Sequence, residues 1–327
     1  MKKKVIFSGI QPTGNLHIGN YLGAVKNWVA LQNSGEYDCY FAVVDYHSLT
    51  GDMKPQDRHD QIVRTAVELI AAGIDPEKST LFIQSQVSAH AELAWIFNCI
   101  TPMAELERMT QFKDKSARQE KNINVGLFTY PSLMSADILL YHGTHIPVGE
   151  DQIQHVELTR STARWFNNKY GDYFTEPELM ITETPRIKSL LEPIKKMSKS
   201  LGAGHVIELA DSPEIIEKKL KKAVTASEGD ASAPGVDNLL LLMKHFATED
   251  QFALYTKAVA DGTVRYGDLK SDLAEALANK FSSFREKREA LLSNHDVIAE
   301  QLFAGAERAQ ATAQKTMDVV KEMIGLR

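Results

Sequence analysis

Short apolar runs, separated by polar or glycine-rich stretches, mark the first half of the chain. Residues 5–7, 39–44, 81–83 and 145–148 are largely apolar, as is typical of strands buried on both faces of a sheet. Between two of these runs, residues 56–72 carry apolar side chains at three- and four-residue spacing, which predicts an amphipathic helix. Strands that alternate with helices predict a doubly wound parallel α/β sheet.

The same spacing predicts further helices in this half of the chain. One follows Gly19, and another runs through residues 88–110 with an interruption at Pro102. A shorter helix is expected around residues 131–141, and a longer one over residues 149–170. Each predicted strand is therefore followed by a helix, as the connections of a parallel sheet require.

Strand patterns largely vanish in the last third of the chain. We predict a domain boundary at about residue 205, between a Rossmann-like α/β domain (residues 1–205) and an all-α domain (residues 206–327). The first domain would end in a mobile lysine-rich loop near residues 196–204. The helices predicted after the boundary cover residues 212–223, 238–246, 249–260, 270–288 and 296–324.

Composition and charge favour a globular protein of the cytoplasm without a membrane partner. No apolar run among the 327 residues could span a bilayer, and the run after the basic residues 1–4 is too short for a signal peptide. Cys39 and Cys99 are too few for a disulfide framework or a cysteine zinc cluster. The net charge of −6 argues against a general nucleic-acid coat, but local basic patches remain at residues 195–199 and 218–222.

The connection between the first strand and the first helix carries candidate chemistry. It contains Gly9 and Gly14, and the helix after Gly19 would begin with backbone N–H groups that suit a phosphate. His17 and Asn20 could donate to the same anion. The alternative is an ordinary strand–loop–helix unit with a polar surface, since the chain has neither a Gly-x-Gly-x-x-Gly nor a Walker pattern here.

A second candidate stretch lies far downstream. Lysines and serines crowd into Lys195-Lys196-Met197-Ser198-Lys199-Ser200, and Gly202 and Gly204 follow directly. Such a segment could move onto a phosphate, or it could be only a solvated run of charge.

Together, the two stretches resemble the two signatures of the class I aminoacyl-tRNA synthetases. Lys196-Met197-Ser198-Lys199-Ser200 matches the second signature in full, whereas His17-Ile18-Gly19-Asn20 ends in Asn, a departure that the tryptophan branch usually shares. Longer blocks at residues 7–14, 105–113, 137–141 and 147–152 are similar to the bacterial tryptophanyl-tRNA synthetases. The resemblance covers most of residues 5–225 and is weaker in the carboxyl-terminal helices.

The resemblance implies an activity and its partners. The enzyme would join L-tryptophan to AMP with release of diphosphate, and would then pass the acyl group to tRNA(Trp). ATP is implied as a substrate, with Mg²⁺ carried by its phosphates rather than held in a protein metal site. Residues 206–327 would form the domain that binds the tRNA anticodon. A homodimer is implied too, and no DNA partner is expected.

The resemblance also assigns roles to individual residues. His17 and Asn20 would hold phosphate, while Lys196 and Lys199 would close onto the diphosphate. The nucleotide would be bound by these residues and by Gln11, Pro12, Thr13, Gly19, Lys115, Gly149, Glu150, Asp151, Ile187, Met197, Ser198 and Ser200. The tryptophan site would consist of Phe7, His47, Tyr130, Met134, Asp137, Ile146, Val148 and Gln152, with Gln152 on the ammonium group.

Asp137 has two interpretations that the sequence leaves open. It stands in a largely apolar helical run, and it shares one helix face with Tyr130 and Met134. Its carboxylate could pair within the fold, as buried acids usually do. Alternatively, the resemblance implies that it accepts the N–H of the indole ring.

Three other functions remain open at the sequence level. A tyrosyl-tRNA synthetase shares the fold and both signatures, although that branch commonly has Gln where this chain has Met134. A small adenylyltransferase would share the first signature but would lack the helices after residue 205. A catalytically inactive paralogue is a further alternative, against which the intact Lys196, Lys199, Gln11 and Asp151 argue.

Overall fold

Five strands form one parallel sheet in the computed structural model, which describes residues 3–110, 123–181, 185–225 and 233–327. The strands are β1 (Lys4–Ile10), β2 (Tyr37–Val43), β3 (Thr80–Ile83), β4 (His145–Val148) and β5 (Glu178–Ile181). Their order is β3-β2-β1-β4-β5, and every neighbouring pair is parallel. The predicted doubly wound sheet is therefore confirmed. Because the winding reverses between β1 and β4, a crevice is expected at the carboxyl ends of these two strands.

Four of the five strands lie where the apolar runs predict them. The fifth, β5, is not predicted, because it is short and lies at the sheet edge, where its end residues Glu178 and Ile181 are exposed and its two middle residues are half-buried. An edge strand needs no continuous apolar run, so it leaves little pattern in the sequence.

Most helices also lie close to their predicted positions. Val125–Leu139 begins earlier than expected and contains Pro131 within its first two turns. No helix of the described residues is long and apolar enough to cross a membrane. The helices of the first two-thirds of the chain are α1 (Ile18–Asn20), which continues through a π-helical segment (Tyr21–Val25) into α2 (Lys26–Ser34), then α3 (Asp45–Ser48), α4 (Pro55–Ala71), α5 (Ala89–Asn98), α6 (Met103–Glu107), α7 (Val125–Leu139) and α8 (Ile153–Tyr170).

The last third of the described chain is helical, as predicted. One expected helix, residues 270–288, is in fact two, because the buried Phe281 interrupts it and packs edge-on against Tyr21, with ring centroids 5.2 Å apart. Tertiary packing thus overrides a continuous helical pattern. The helices are α9 (Pro213–Lys222), α10 (Pro234–Phe246), α11 (Glu249–Ala260), α12 (Tyr266–Lys280), α13 (Ser282–Leu292) and α14 (His295–Met323).

The chain divides into two compact units that do not follow the predicted boundary at residue 205. The first unit comprises the described residues of Met1–Thr13, Lys26–Glu183 and Asn294–Arg327. The second comprises those of Gly14–Val25 and Thr184–Ser293. Thus the first signature stretch lies in the mainly helical unit, and the last helix lies in the sheet unit.

Helix α14 belongs to the first unit because one of its faces, made largely of small residues, packs against the sheet. The stripe Ala306, Ala309, Ala313 and Met317 is buried in the same apolar cluster as the sheet residue Phe82. Gly305 lies so close to β3 that a β-carbon there would stand 1.8 Å from the carbonyl oxygen of Leu81. Helix α14 therefore packs on the sheet of the first unit through a stripe of small residues.

Candidate active site at the carboxyl ends of the strands

Four neighbouring strands of the first unit end in polar residues. Gln11–Thr13 follow β1, Asp45–His47 follow β2 and begin α3, Gln84 follows β3, and Gly149–Gln152 follow β4. Parallel strands bring these ends to one edge of the sheet, where open α/β sheets bind their ligands. The order of the strands alone therefore assembles residues from four distant parts of the chain.

Asp137, on α7, is the most strongly bonded of the predicted site residues in the first unit. Its carboxylate is 1% exposed and accepts three hydrogen bonds. His47 Nε2 lies 2.8 Å from Oδ2, while Gln84 Nε2 and His90 Nδ1 each lie 2.6 Å from Oδ1. The expectation that a buried acid pairs within the fold is met, and the pair includes the predicted site residue His47.

The hydrogen bonds also set the charge of Asp137. Burial by itself would raise the pKa of this carboxyl, but hydrogen bonds from His47 and His90 outweigh burial and hold the pKa below its usual range. The site therefore contains an ionised, acceptor-only carboxylate at neutral pH.

His90 and Gln84 both bond to Asp137, and neither is predicted from the sequence. His90 is fully buried in the apolar helix α5, and its Nε2 lies 2.7 Å from the hydroxyl of Tyr141. Burial raises the pKa of Tyr141, so its hydroxyl stays protonated. A signal was available for Gln84, since it directly follows a predicted strand, as Asp45–His47 do. No pattern marks His90, which stands alone among apolar residues.

The predicted wall residues of the tryptophan site in the first unit are buried or half-buried. Phe7, Tyr130 and Ile146 are buried, and the ring of Tyr130 lies 6.1 Å from that of His47, edge to face. Burial raises the pKa of Tyr130 to about 12. Met134 and Val148 are half-buried and pack against the apolar cluster that contains Phe7.

The residues of the first unit that are predicted to bind the nucleotide follow strands β1 and β4, between which the winding of the sheet reverses. After β1, Gln11 is half-buried, Pro12 is buried and Thr13 is exposed. After β4, Gly149 begins a short turn whose Glu150 and Asp151 are exposed, and the Gln152 N–H donates to the Gly149 carbonyl. Lys115 lies outside the described residues.

In the second unit, His17 and Asn20 form a reciprocal helix cap. His17 Nδ1 accepts from the N–H of Gly19 at 3.0 Å, and Asn20 Oδ1 accepts from the N–H of His17 at 3.2 Å. Gly19 is required by this cap, because a β-carbon there would stand 2.8 Å from the His17 ring. The cap uses the acceptor atoms of both side chains, so Nε2–H of His17 and the amide N–H₂ of Asn20 are the groups that can donate to an anion.

Two lysines of the second signature act on His17. Burial lowers the pKa of this imidazole to about 4, with further lowering by the charges of Lys199 and Lys196. His17 is therefore neutral at physiological pH and donates through Nε2. Lys199 also reaches Gly14, where its ammonium lies 3.1 Å from the position of a β-carbon. The two signature stretches are thus brought together within one unit.

The lysine segment rests on a backbone pairing inside the second unit. Met197 donates its N–H to the carbonyl of Ile187 at 2.9 Å, and both side chains are buried. Ser198 caps the turn Lys199–Leu201, with its Oγ 2.9 Å from that of Ser200. The segment is therefore anchored at Met197, while Lys196 and Ser200 remain exposed.

Metal ligands do not cluster in the described part of the chain. Among residues 3–110, 123–181, 185–225 and 233–327, no group of three His, Cys, Asp or Glu side chains could hold a metal ion.

Comparison with known proteins places the chain in one family of enzymes. The family model of the class I tRNA synthetases (W and Y) matches residues 1–282. A tryptophan–tRNA ligase from Caldanaerobacter subterraneus subsp. tengcongensis is 48% identical over 99% of this chain and 98% of its own length. One from Listeria monocytogenes is 47% identical, with 99% and 98% covered.

Solved structures agree with these sequence relatives. The Campylobacter jejuni tryptophanyl-tRNA synthetase complexed with ADP and tryptophan superimposes with a TM-score of 0.86, at 34% identity, over 98% of this chain and 99% of that chain. A tyrosyl-tRNA synthetase from Archaeoglobus fulgidus has a TM-score of 0.69 at 19% identity, covering 88% and 90%, which is a likeness of fold alone.

Proposed function

Because this chain belongs to the class I tRNA synthetases of the tryptophan and tyrosine group, we propose that it activates L-tryptophan with ATP and transfers it to tRNA(Trp). In the first step the carboxylate of tryptophan attacks the α-phosphorus of ATP. An acyl–phosphate bond forms, the bond to the β-phosphate oxygen breaks, and diphosphate leaves. In the second step a ribose hydroxyl of the tRNA replaces AMP.

One observation carries this proposal: Lys199 of the second signature reaches the stretch of the first, where its ammonium lies 3.1 Å from the β-carbon position at Gly14. Phosphoryl chemistry of this kind needs positioned donors and positive charge rather than a covalent enzyme intermediate. Nε2–H of His17 and the amide of Asn20 hold phosphate oxygens. Lys196 and Lys199 neutralise the charge that develops on diphosphate as it leaves.

Asp137 supplies the specificity for tryptophan. It is a buried, ionised acceptor in the first unit, where the predicted wall residues Phe7, Tyr130 and Ile146 are buried too. It can therefore accept the N–H of an indole ring. An apolar pocket alone separates similar side chains by only ~1–3 kcal/mol, whereas an acceptor left without its donor penalises phenylalanine far more.

Magnesium enters this reaction with ATP. The ion is bound mainly by phosphate oxygens and water, as is usual for Mg²⁺ in nucleotide sites. Gly149, Asp151 and Gln11 stand at the reversal of winding, where they are suited to contact the ribose and the adjoining phosphate. Since its substrates ATP and tRNA are cytoplasmic, we assign the protein to the cytoplasm.

We propose that an exposed apolar surface of the first unit binds a second copy of the chain. Trp95, Met103 and Val125 are 70%, 65% and 78% exposed, and they stand on α5, α6 and α7, of which α7 packs against both others. Apolar side chains this large are rarely left in water together. Trp95→Glu should therefore convert a dimer to a monomer in light scattering, while Trp95→Phe should not.

ATP–diphosphate exchange tests the activity directly. We expect exchange with tryptophan and none with tyrosine, phenylalanine or no amino acid. Exchange with tyrosine alone would overturn the substrate, and no exchange with any amino acid would overturn the activity.

Asp137→Asn tests the specificity with the least damage to the fold. Alanine would leave three buried donors without an acceptor, which costs stability as well as specificity. The Asn variant keeps the shape of the side chain. We expect it to narrow the ratio of kcat/KM for tryptophan over phenylalanine while the KM for ATP changes little. A folded variant with the parent's ratio would refute this role of Asp137.

A further inference from the structure

The carboxylate of Asp137 offers its acceptor positions unequally. Each carboxylate oxygen has two lone-pair directions. Oδ1 accepts from both Gln84 and His90, whereas Oδ2 accepts from His47 alone among the described residues. Oδ1 is therefore saturated, and one acceptor position remains, on Oδ2 beside His47.

The orientations of the two side chains that donate to Oδ1 are both fixed by further hydrogen bonds. The amide of Gln84 is fixed because its Oε1 accepts the N–H of Tyr46 at 3.1 Å, which turns its N–H₂ group to Asp137. His90 donates from Nδ1 to the carboxylate, and its Nε2 lies 2.7 Å from the hydroxyl of Tyr141. Each donor is thus oriented by a further hydrogen bond on its far side.

Packing holds this arrangement in place. Gln84 and His90 have no exposed surface, and Tyr141 is 2% exposed. The ring of Tyr141 stacks on Phe7 at 5.6 Å and on Tyr40 at 4.6 Å. A rotation of the carboxylate would have to break two short hydrogen bonds inside this stack.

We propose that Gln84 and His90, oriented by Tyr46 and Tyr141, are positioning residues that saturate Oδ1 and so direct the remaining acceptor position of Asp137, on Oδ2, toward the ring N–H of the amino-acid substrate. This inference rests on the proposed function. It deepens that function by assigning specificity to three side chains behind Asp137 as well as to Asp137 itself. A substrate ring of the same shape without an N–H group leaves Oδ2 one hydrogen bond short.

The test compares two amino acids of nearly equal shape. L-Tryptophan and β-(3-benzothienyl)alanine differ by an N–H group replaced by sulfur. The discrimination ratio, defined as kcat/KM for tryptophan over that for the sulfur analogue, is measured by ATP–diphosphate exchange with the full chain. We expect a ratio of at least ~100 in the parent enzyme.

Variants then remove one donor at a time. Gln84→Met and His90→Phe keep the approximate size but donate nothing to Oδ1, and Tyr141→Phe removes the hydroxyl that orients His90. We expect each to lower the discrimination ratio at least ~10-fold, with the KM for ATP unchanged. His90→Asn, whose amide can take the place of Nδ1–H, should restore most of the ratio.

Tyr40→Phe is the matched control. It removes a hydroxyl from the same ring stack, but that hydroxyl lies 3.2 Å from Thr312 Oγ1 and makes no hydrogen bond to Gln84, His90, Tyr141 or Asp137 among the described residues. Its ratio should equal that of the parent. A folded Gln84→Met or Tyr141→Phe protein with the parent's ratio would overturn the inference, as would equal losses in His90→Phe and His90→Asn. A parent enzyme that does not discriminate would instead overturn the role of Asp137 in the proposed function.

Discussion

His17 is a buried imidazole near two cationic side chains, and its protonation decides how it can bind an anion. Its pKa is lowered to about 4 by burial and by the charges of Lys199 and Lys196. A neutral ring donates one hydrogen bond through Nε2 and brings no charge of its own. In the proposed reaction the positive charge for the diphosphate would then come from Lys196 and Lys199 rather than from His17.

We predict that the signal of His17 in an NMR titration moves with a pKa near 4, and that Lys199→Ala raises this pKa. Of the two lysines, Lys199 lowers the pKa of His17 more, so its removal raises that pKa, while burial still keeps the pKa below 6.5. His17→Gln identifies the signal by its loss. A His17 that titrates near pH 6.5 in the parent would contradict the buried neutral state.

The same shift predicts how His17 affects stability. An unfolded histidine takes up a proton near pH 6.5, so between about pH 6.5 and about pH 4 the unfolded state binds more protons than the native state. The stabilising contribution of neutral His17 is therefore complete above pH 6.5 and decreases as the pH falls through this window. Denaturant unfolding at pH 7 and pH 5 should show a smaller loss of stability in His17→Gln than in the parent.

Lys199 should act on the transition state of activation. We expect Lys199→Ala to lower the rate of tryptophanyl-AMP formation by about two to three powers of ten, the usual effect of removing one well-placed electrostatic group. Binding of tryptophan should change little. Lys195→Ala is the matched control, because Lys195 belongs to the same segment but pairs with Glu192 at 2.5 Å. Equal effects of the two substitutions would mean that the segment acts only through its total charge.

At the scale of elements, the sequence predicts what depends on local pattern and misses what depends on packing. Strands β1 to β4 follow from apolar runs, and Glu249–Ala260 has the bounds predicted from its sequence pattern, with a Thr248–Gln251 capping box at its start. The edge strand β5 and the helix break at Phe281 do not, because an exposed edge and a buried aromatic ring are defined by neighbours far along the chain.

The residues of the candidate site also fall into those that the sequence predicts and those that only the packing reveals. Residues in the two signatures, such as His17 and Lys199, could be predicted as site residues from the sequence. Asp137 could be predicted from its place on an apolar helix face together with the family resemblance. His90 could not, because its partners Asp137 and Tyr141 lie 47 and 51 residues further along the chain. A lone histidine in an apolar helix becomes interpretable only when the packing of α5 against α7 is known.

The contact between α14 and β3 gives a prediction about stability. Gly305→Ala would force a β-carbon onto the carbonyl oxygen of Leu81, 1.8 Å away, so the helix must move from the sheet. We expect a loss of about 1–3 kcal/mol in the free energy of unfolding. Gly267→Ala in α12 is the control, since a β-carbon there meets nothing within 4 Å. An unchanged thermal midpoint for Gly305→Ala would mean that α14 is not firmly docked.

Considered as a whole molecule, the chain combines a net charge of −6 with lysines concentrated on α9. These lysines are not equivalent. Lys219 pairs with Asp211 at 2.6 Å, with its side chain only 13% exposed, and Lys221 pairs with Glu217. Lys218 and Lys222 are exposed and stand four residues apart, on one face of the helix. They are the residues of this cluster that are best suited to contact tRNA phosphates.

Replacing both with Glu should weaken tRNA binding and leave amino-acid activation intact. Phosphate contacts make binding weaken steeply with salt, and each lost contact lowers the slope of log K against log salt by about one. We therefore expect Lys218→Glu with Lys222→Glu to raise the KM for tRNA and to lower the salt slope by about two. Lys244→Glu with Lys257→Glu, on exposed positions of α10 and α11, changes the net charge equally. If this control pair weakens tRNA binding as much as the α9 pair does, the overall charge rather than the α9 surface governs binding. If the α9 variant also loses amino-acid activation, its fold has been damaged.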